Sequence, residues 1–505
     1  MRDTKPMRLG DILLMRGLVA VDGLKSALNR QRHEGGRLSE SIVALGLMSS
    51  GQMAAVLDET PASPRTVEQT GISRINLLAL LLKFMRMESC ETLPELGDRM
   101  RLPAPVLKEL IEEATTQRLV QVLGSIMQGN VCHLRYALTE RGLAAAADAL
   151  AHCQYLGPAP VPLAAFQEQV RKQPITNETL DEETLQEGFS DLSVPRKYVR
   201  KLVPAVRSGR TILLYGPAGN GKTSICTRLA RLFRDVVHIP YAIEVSGRII
   251  KMFDSGLHKP WYEGAKRPAF STGNSLQVET VDARWVACHR PVAVAGGELT
   301  LDMLELRFDP INKFYEAPLH MKALNGVFLI DDFGRQKVSP AELLNRWIVP
   351  LESRIDHLTL SNGVSFDIPF DELVIFATNL KPSDLIDPAF LRRIPYKIEL
   401  TGPAIDEYRE LFFAAAERHG LTITADILTY IVQRLVAAHY DLAYFHPNFL
   451  CEQVAHNCAC FALPPKITRE LADQALENLY VDLGVRLQSA GERTSPPVSG
   501  RTQAA

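Results

Sequence analysis

Residues 211–224 read TILLYGPAGNGKTS, an apolar run that turns into a glycine-rich loop and then into a lysine and two hydroxyl residues. The stretch KTSICTRLARLF that continues from this loop has helical apolar spacing. A strand, a loop of this spacing and a helix form a P-loop, whose glycines let successive backbone N–H groups point at a phosphate chain. The predicted phosphate-binding residues are Gly216, Pro217, Ala218, Gly219, Asn220, Gly221, Lys222, Thr223 and Ser224.

Lys222 and Thr223 have separate predicted roles in this loop. The Lys222 ammonium would neutralise the β- and γ-phosphates of ATP, and the Thr223 hydroxyl would coordinate Mg²⁺. Asp331 and Asp332 follow the apolar stretch VFLI, 109 residues after the lysine. We expect this strand to lie beside the P-loop strand, with Asp331 holding Mg²⁺ through water and Asp332 polarising the attacking water.

Further polar residues follow two later strands. LVIFAT ends at Asn379, whose amide would orient the attacking water, and Arg392 and Arg393 precede the strand YKIEL. An arginine pair at a strand edge suits a finger that reaches the γ-phosphate of a neighbouring subunit. This ordered set resembles the AAA+ ATPases. The resemblance implies an α/β ATPase core over residues 195–401, a helical lid over 402–487, sensor 1 at Asn379, a finger at Arg392 or Arg393, and a homo-oligomeric ring, expected to be a hexamer.

The chain departs from the AAA+ pattern at two places. Asp332 stands where most members have Glu, which shortens the catalytic base by one methylene and leaves the rate of hydrolysis open. The sequence YFHPN, which ends at Asn448, occupies the place of the sensor 2 arginine, and we predict no sensor 2 arginine. A scaffold that binds nucleotide without hydrolysing it is therefore the alternative to an ATP hydrolase.

Three further elements are expected inside the core. The turn SNG at residues 361–363 predicts a β-hairpin, similar to the extra hairpin of MoxR-like and enhancer-binding AAA+ branches. The stretch DARWVACHRPVAVAGGELTL, residues 282–301, indicates an inserted pair of strands. Residues 313–316, KFYE, stand near the place where AAA+ motors carry an aromatic pore loop, and core packing is the alternative.

The N-terminus contains an internal repeat. Residues 8–31 and 37–60 align at a period of 29, and each copy has helical apolar spacing interrupted by a glycine. This predicts a small all-helical domain over residues 1–62. The first copy resembles the MshEN domain, the N-terminal module of type II secretion and pilus-extension ATPases, at Arg8, Leu9, Gly10, Leu13, Gly17, Leu24, Leu28 and Gln31.

The MshEN resemblance implies cyclic di-GMP as a regulatory ligand. An arginine can stack on a guanine or donate hydrogen bonds to it. The second copy departs from the pattern at Ser39, Ile42, Met53 and Thr60, so a helical docking domain without a ligand is the alternative. The expected contacts are Arg8, Leu9, Gly10, Leu13, Gly17, Gln31, Arg37 and Leu38.

Residues 73–153 predict helices followed by a hairpin around residues 129–130, an order that resembles a winged helix. The candidate recognition helix exposes Glu109, Glu112 and Glu113, which DNA phosphates would repel, so a protein contact is favoured over DNA. Residues 154–194 are expected to be a linker. Residues 488–505 are expected to be a disordered tail.

Composition excludes several classes of protein. A formal charge of −2 excludes a basic nucleic-acid coat and a polyacidic disordered chain, and eight cysteines in 505 residues are too few for a disulfide framework. The longest apolar runs, among them residues 77–82, are too short to span a membrane, and no signal-peptide pattern is present, so we expect a cytoplasmic protein.

The sequence therefore predicts a multidomain bacterial AAA+ ATPase, with an α/β P-loop core, a helical lid, an all-helical MshEN-like domain and a winged-helix-like α+β domain. We expect it to remodel or move a protein partner under the control of cyclic di-GMP. A winged-helix DNA-binding regulator and a pilus or secretion motor are the alternatives.

Overall fold

A computed structural model of the chain describes residues 8–128, 131–178, 180–190, 194–233, 235–261, 281–385 and 387–479. These residues form a multidomain α/β structure with a parallel sheet and many helices. A helix long and apolar enough to cross a membrane is absent from the described residues. The predicted turn at residues 129–130 and the predicted tail at 488–505 lie outside them.

The N-terminal repeat forms helices with the period found in the sequence. The helices are α1 (Leu9–Met15), α2 (Val21–Glu34), α3 (Leu38–Ala44) and α4 (Ser50–Glu59). The start of α3 follows the start of α1 by 29 residues, and the start of α4 follows that of α2 by the same interval. Gly17 and its equivalent Gly46 both have φ of +66°, a turn conformation that favours glycine. The predicted helical repeat is thus confirmed.

The next unit has the predicted order of helices and hairpin, and one more helix follows. Its elements are α5 (Arg74–Met87), α6 (Leu93–Met100), α7 (Ala104–Thr116), β1 (Val120–Gln128), β2 (Val131–Leu138) and α8 (Glu140–His152). The expectation that α7 exposes three glutamates is wrong for two of them. Arg74 on α5 forms ion pairs with Glu109 and Glu113, which are half-buried, whereas Glu112 is exposed.

The stretch expected as a linker contains ordered elements. They are β3 (Val161–Pro162), α9 (Leu163–Lys172) and α10 (Glu182–Gly188), and α11 (Arg196–Arg207) follows them. Phe166 and Val170 on α9 and Leu185 on α10 are buried. The proline-rich and acidic composition of this stretch favoured a linker, but these few buried apolar residues are enough to pack short helices against a neighbouring core.

The strands and helices of the region that contains the P-loop alternate along the chain. The first half comprises β4 (Ile212–Tyr215), α12 (Lys222–Leu232), β5 (Val236–Pro240), β6 (Ala242–Val245), β7 (Arg248–Lys251), β8 (Trp285–His289), β9 (Val292–Ala295), β10 (Arg307–Asp309) and β11 (Phe314–Glu316). The second half comprises α13 (Leu319–Lys322), β12 (Val327–Ile330), α14 (Pro340–Ser353), β13 (Ile355–Thr359), β14 (Ser365–Pro369), β15 (Leu373–Thr378), α15 (Pro382–Leu385), α16 (Pro388–Leu391) and β16 (Tyr396–Glu399).

Within the described residues, five of these strands form a parallel sheet in the order β16-β4-β15-β12-β9. The expectation that the strand before Asp331 lies beside the P-loop strand is wrong, because β15 lies between β4 and β12. The carboxyl ends of parallel strands meet at one edge of a sheet, which is where open α/β sheets bind ligands. The segments that follow β4, β12 and β15 therefore still converge.

Alternating side chains cover the two faces of this sheet. Leu329 and Ile375 pack with residues of α11 and α12 on one face, and Phe328 and Phe376 pack with Trp347 of α14 on the other. Because both faces are buried, the strands are almost continuously apolar, as in other parallel sheets. The parallel sheet is thus the middle layer of an α/β sandwich.

The inserted strand pair was predicted wrongly. β8 and β9 are both strands, but β9 is the edge strand of the parallel sheet, and β8 pairs with β5 instead. The connection between β8 and β9 is anchored by Arg290, which donates hydrogen bonds to the main-chain oxygens of Gln173 and Asn325 at 3.1 and 2.7 Å. These hydrogen bonds fix the position of the residue two places before β9.

A second, mixed sheet has the order β10-β11-β7-β6-β3 in the described part of the chain. The pore-loop interpretation of residues 313–316 is wrong, because Tyr315 lies in β11 and is only 2% exposed. Core packing, the alternative, is what the structure shows. The predicted hairpin at 361–363 is confirmed by the antiparallel pair β13 and β14.

The chain ends, as far as it is described, in a helical unit. Its helices are α17 (Ile405–Arg418), α18 (Ala425–Ala437), α19 (His446–Cys460) and α20 (Arg469–Leu479). Tyr408, Phe412, Leu435 and Val454 form part of its buried core. This unit follows β16 directly, so it starts at the same edge of the parallel sheet as the P-loop.

Candidate nucleotide-binding site

The loop between β4 and α12 adopts a conformation that requires glycine. Gly216 has φ of +138° and Gly219 has φ of +79°. A Cβ atom at Gly216 would lie 2.2 Å from the main-chain oxygen of Leu400, just after β16. Gly221, also at positive φ, is the N-cap residue of α12. The loop therefore wraps tightly over the carboxyl end of β4 and leads into a helix N-terminus, as a phosphate cradle requires.

Lys222 occupies the centre of this loop. Its side chain is buried and donates hydrogen bonds to the main-chain oxygens of Gly216 and Pro217, both at 2.8 Å. Burial lowers the pKa of Lys222, while the nearby carboxylates of Asp331 and Asp332 oppose that shift. The ammonium group is thus held at the mouth of the loop, facing two acidic residues from another strand.

Thr223 and Asp331 meet across the sheet edge. The Thr223 hydroxyl donates a hydrogen bond to Asp331 Oδ2 at 2.8 Å. A hydroxyl and a carboxylate oxygen at this separation fit the oxygen ligands that Mg²⁺ prefers. Gln336 fixes the same segment by donating to the Asp331 main-chain oxygen at 2.7 Å. No sequence pattern points to Gln336, because its spacing from the motif is not a recurring one.

Asp332 and Asn379 are also in contact. Asn379 Nδ2 donates a hydrogen bond to Asp332 Oδ1 at 3.1 Å. Asp332 is exposed and has φ of +50°, an uncommon conformation for a residue other than glycine. Thr378 supports this turn, since its hydroxyl donates to the main-chain oxygen of Phe333 at 2.7 Å. The interposed strand β15 is therefore what brings the amide to the carboxylate.

An aromatic residue of the helical unit lies over the loop. The main-chain N–H of Phe445 donates to the oxygen of Gly219 at 3.2 Å, and a Cβ atom at Gly219 would lie 2.3 Å from the Phe445 ring. Asn448, one turn further along α19, instead bonds to His419 at 3.1 Å. The place expected for a sensor 2 arginine thus supplies an aromatic contact. No sequence pattern identifies Phe445 as a contact of this loop.

The two adjacent arginines differ in their surroundings. Arg393 forms an ion pair with Glu352 at the end of α14. Arg392 is exposed and has no ion pair or hydrogen bond within the described residues. Arg392 is therefore the more accessible guanidinium of the two in the described residues.

The N-terminal motif residues are mostly packing residues. Leu9, Leu13 and Leu38 lie in the core of the helical repeat, and a Cβ atom at Gly10 would lie 3.3 Å from Leu24. Gln31 is buried and donates to the main-chain oxygen of residue 36 at 3.1 Å. The arginines at the starts of α1 and α3 differ, Arg8 being half-buried and Arg37 exposed. Packing alone thus explains most of the first motif, and a bound ligand stays a prediction.

Comparisons with known proteins match parts of the chain. A family described as a domain of unknown function (DUF8689) matches residues 404–478, the helical unit α17–α20. No curated protein matches the chain. Similar solved structures include the RuvB Holliday junction branch migration motor of Thermotoga maritima, 16% identical over 62% of this chain and 74% of that one, with a TM-score of 0.30. A point mutant of the same RuvB gives 15% identity, 62% and 75% coverage and a TM-score of 0.32.

A further similar structure is NtrX from Brucella abortus, at 13% identity over 61% of this chain and 59% of that one, with a TM-score of 0.33.

Proposed function

We propose that this chain is an AAA+ ATPase that binds ATP with Mg²⁺ at the P-loop and hydrolyses it. The observation that carries the proposal is a pair of contacts beside Lys222. Thr223 meets Asp331 at 2.8 Å, and Asn379 meets Asp332 at 3.1 Å. Phosphoryl transfer to water requires a cation, oxygen ligands for a metal, a carboxylate and an amide, and all four are present at this sheet edge.

Each of these residues has one role in the proposal. Lys222 would turn from the loop carbonyls to the β- and γ-phosphates, and Thr223 and Asp331 would hold Mg²⁺, Asp331 through water. When bound, the metal would neutralise the developing charge on the phosphates. Asp332 would accept a hydrogen bond from the attacking water. Asn379 would hold the Asp332 carboxylate and the water in place.

The ring assembly is part of the same proposal. Arg392, which is exposed and unpaired in the described structure, would reach the γ-phosphate of the neighbouring subunit, and the ion pair with Glu352 would keep Arg393 in its own subunit. An arginine finger supplied in trans makes turnover depend on assembly. A hexameric ring is the assembly that we expect.

The proposed work of this ring is to remodel or move a protein partner in the cytoplasm. The N-terminal helical repeat would respond to cyclic di-GMP, and residues 73–153 would act as a winged-helix-like adaptor. A protein contact is favoured over DNA for this adaptor because Glu112 is exposed on α7 and Glu109 and Glu113 surround Arg74. The acidic helix therefore gives no support to a DNA-binding regulator.

The experiment that tests the proposal compares two lysine variants of the full-length protein. Lys222→Ala should weaken ATP binding by about 10- to 150-fold, since a hydrogen bond to a charged group contributes about 1.5–3 kcal/mol. Lys201→Ala, at an exposed position on α11, is the matched control and should bind ATP as the native chain does. Calorimetric titration with Mg²⁺–ATP measures both.

Hydrolysis is tested separately from binding. Asn379→Ala should keep ATP affinity and lower the turnover rate by about 10²-fold or more, as expected for the loss of a positioned hydrogen-bond donor. Native affinity in Lys222→Ala would refute the nucleotide site. Binding without turnover in the native chain would instead support the nucleotide-dependent scaffold.

A further inference from the structure

The side chain of Gln336 bridges the turn that follows β12. Its Nε2 donates to the Asp331 main-chain oxygen at 2.7 Å, and its Oε1 accepts from the main-chain N–H of Gly334 at 2.8 Å. A primary amide carries both a donor and an acceptor, which neither a carboxylate nor an ammonium group does. Gln336 therefore joins two sides of the turn, and Asp332 lies between the two residues that it joins.

Asp332 depends on this turn for its conformation. Its φ of +50° is uncommon for a residue other than glycine, because the Cβ atom crowds the main chain in this region. The main-chain N–H of Asp332 donates to Asp331 Oδ1 at 3.0 Å, and its main-chain oxygen accepts from the N–H of Arg335 at 2.9 Å. Both partners belong to the segment that Gln336 bridges, so the amide supports the contacts that hold Asp332 in this conformation.

The middle of the turn is packed against β15 and α15. The main-chain oxygen of Phe333 accepts from the Thr378 hydroxyl at 2.7 Å. Gly334 has φ of +102°, and a Cβ atom there would lie 2.4 Å from the side chain of Leu385. Residues 333 and 334 are thus fixed to their neighbours, and the amide of Gln336 ties the start of the turn to them.

The contact between Asp332 and Asn379 depends on the shape of this turn. Asn379 follows β15, whereas Asp332 belongs to the turn after β12, so their hydrogen bond of 3.1 Å forms only while the turn keeps its shape. A change of φ at Asp332 to the usual negative values would swing the carboxylate away from the amide. Displacement of a reacting group by about 1 Å can cost about 10²-fold in rate.

We propose that Gln336 is a positioning residue for ATP hydrolysis, which holds Asp332 against Asn379 so that the carboxylate can accept a hydrogen bond from the attacking water. This rests on the proposed function, because Asp332 needs to be positioned only if the site turns over ATP. In the described residues, the hydrogen bonds of Gln336 go to the main chain of its own turn and none goes to the P-loop. Its loss should therefore spare ATP binding and lower turnover.

Turnover and ATP affinity are measured separately in three full-length variants. Gln336→Met has nearly the same length but neither donor nor acceptor, and Gln336→Glu at pH 8 keeps the acceptor and loses the donor. Lys337→Met, at the exposed next position, is the matched control. Both Gln336 variants should lower kcat at least about tenfold and change the Kd for Mg²⁺–ATP less than about threefold. Lys337→Met should change neither.

A double-mutant cycle shows whether Gln336 acts through Asp332. Single-turnover assays with radiolabelled ATP, read over hours, measure the slow rates of the Asp332→Ala protein. In that background Gln336→Met should lower the rate less than about twofold, because no carboxylate is left to position. A general disturbance of the site would instead lower the rate as much as it does in the native chain.

Two results overturn the proposal. They are a native kcat in both Gln336→Met and Gln336→Glu, and a full loss of rate repeated in the Asp332→Ala background. The melting temperature identifies a variant that does not fold, and the other Gln336 variant then decides. Absence of turnover in the native chain refutes the proposed function itself, whereas native turnover that is insensitive to Gln336 refutes only this positioning role.

Discussion

Replacement of Gly219 by alanine would place a methyl group 2.3 Å from the Phe445 ring. The residue has φ of +79°, so alanine would also be held in the left-handed region at a cost of about 1–2 kcal/mol. Phe445 is 39% exposed, so displacement of its ring should forfeit about 1–2 kcal/mol of the 1.5–3 kcal/mol that complete burial contributes. We expect Gly219→Ala to lower the free energy of unfolding by about 2–4 kcal/mol.

A control in the same loop separates the two contributions. Gly221 has φ of +77°, and a Cβ atom there would have no neighbour within 4 Å. Gly221→Ala should therefore cost only the conformational part, about 1–2 kcal/mol. In a double-mutant cycle, Phe445→Ala should remove the additional cost of Gly219→Ala, with a coupling energy of about 1–2 kcal/mol.

Urea unfolding followed by tryptophan fluorescence measures these differences, because Trp347 is fully buried in the core beside β12. The midpoint should shift and the slope should stay constant if only stability changes. If the free energies of unfolding of Gly219→Ala and Gly221→Ala differ by less than about 0.5 kcal/mol and the cycle shows no coupling, the contact between Phe445 and the P-loop does not stabilise the protein.

Three further predictions concern other parts of the chain. Arg392→Ala should leave ATP affinity unchanged and lower turnover by about 10³-fold or more, and normal turnover of assembled Arg392→Ala rings would contradict the finger assignment. Its neighbour serves as the comparison: Arg393→Ala should lower the melting temperature, because it loses the ion pair with Glu352. Arg8→Ala should weaken cyclic di-GMP binding to the full chain about tenfold or more, because a bidentate guanine contact contributes about 1–3 kcal/mol. If a calorimetric titration of the native chain with cyclic di-GMP gives no heat, the repeat is a docking module without this ligand. Burial raises the pKa of Glu372 well above its usual value, so the folded state binds the proton more tightly and the free energy of unfolding falls as the pH rises above about 4.3 towards that raised pKa. Glu372→Leu should raise the melting temperature at pH 8 and reduce this pH dependence, and an unchanged slope would show that the carboxyl does not titrate in this way.

Local pattern was sufficient to predict several elements of this protein. The apolar run, the glycines and the lysine at residues 211–224 predicted the strand, the loop and the helix, because each depends on neighbours within a few residues. The 29-residue period likewise predicted the N-terminal helices, and SNG at 361–363 predicted the hairpin between β13 and β14. In each case the turn chemistry and the apolar spacing act within one segment of chain.

Tertiary structure decided what depends on distant partners. The order of the strands, with β15 between β4 and β12, results from pairing between segments more than 40 residues apart, and no short pattern encodes it. The same holds for burial: Tyr315 in a strand, α9 within an apparent linker, and Glu109 against Arg74 were all misread from residue type alone. The chemistry of a side chain follows from its residue type, but the residues that neutralise or bury it are brought to it by the tertiary structure.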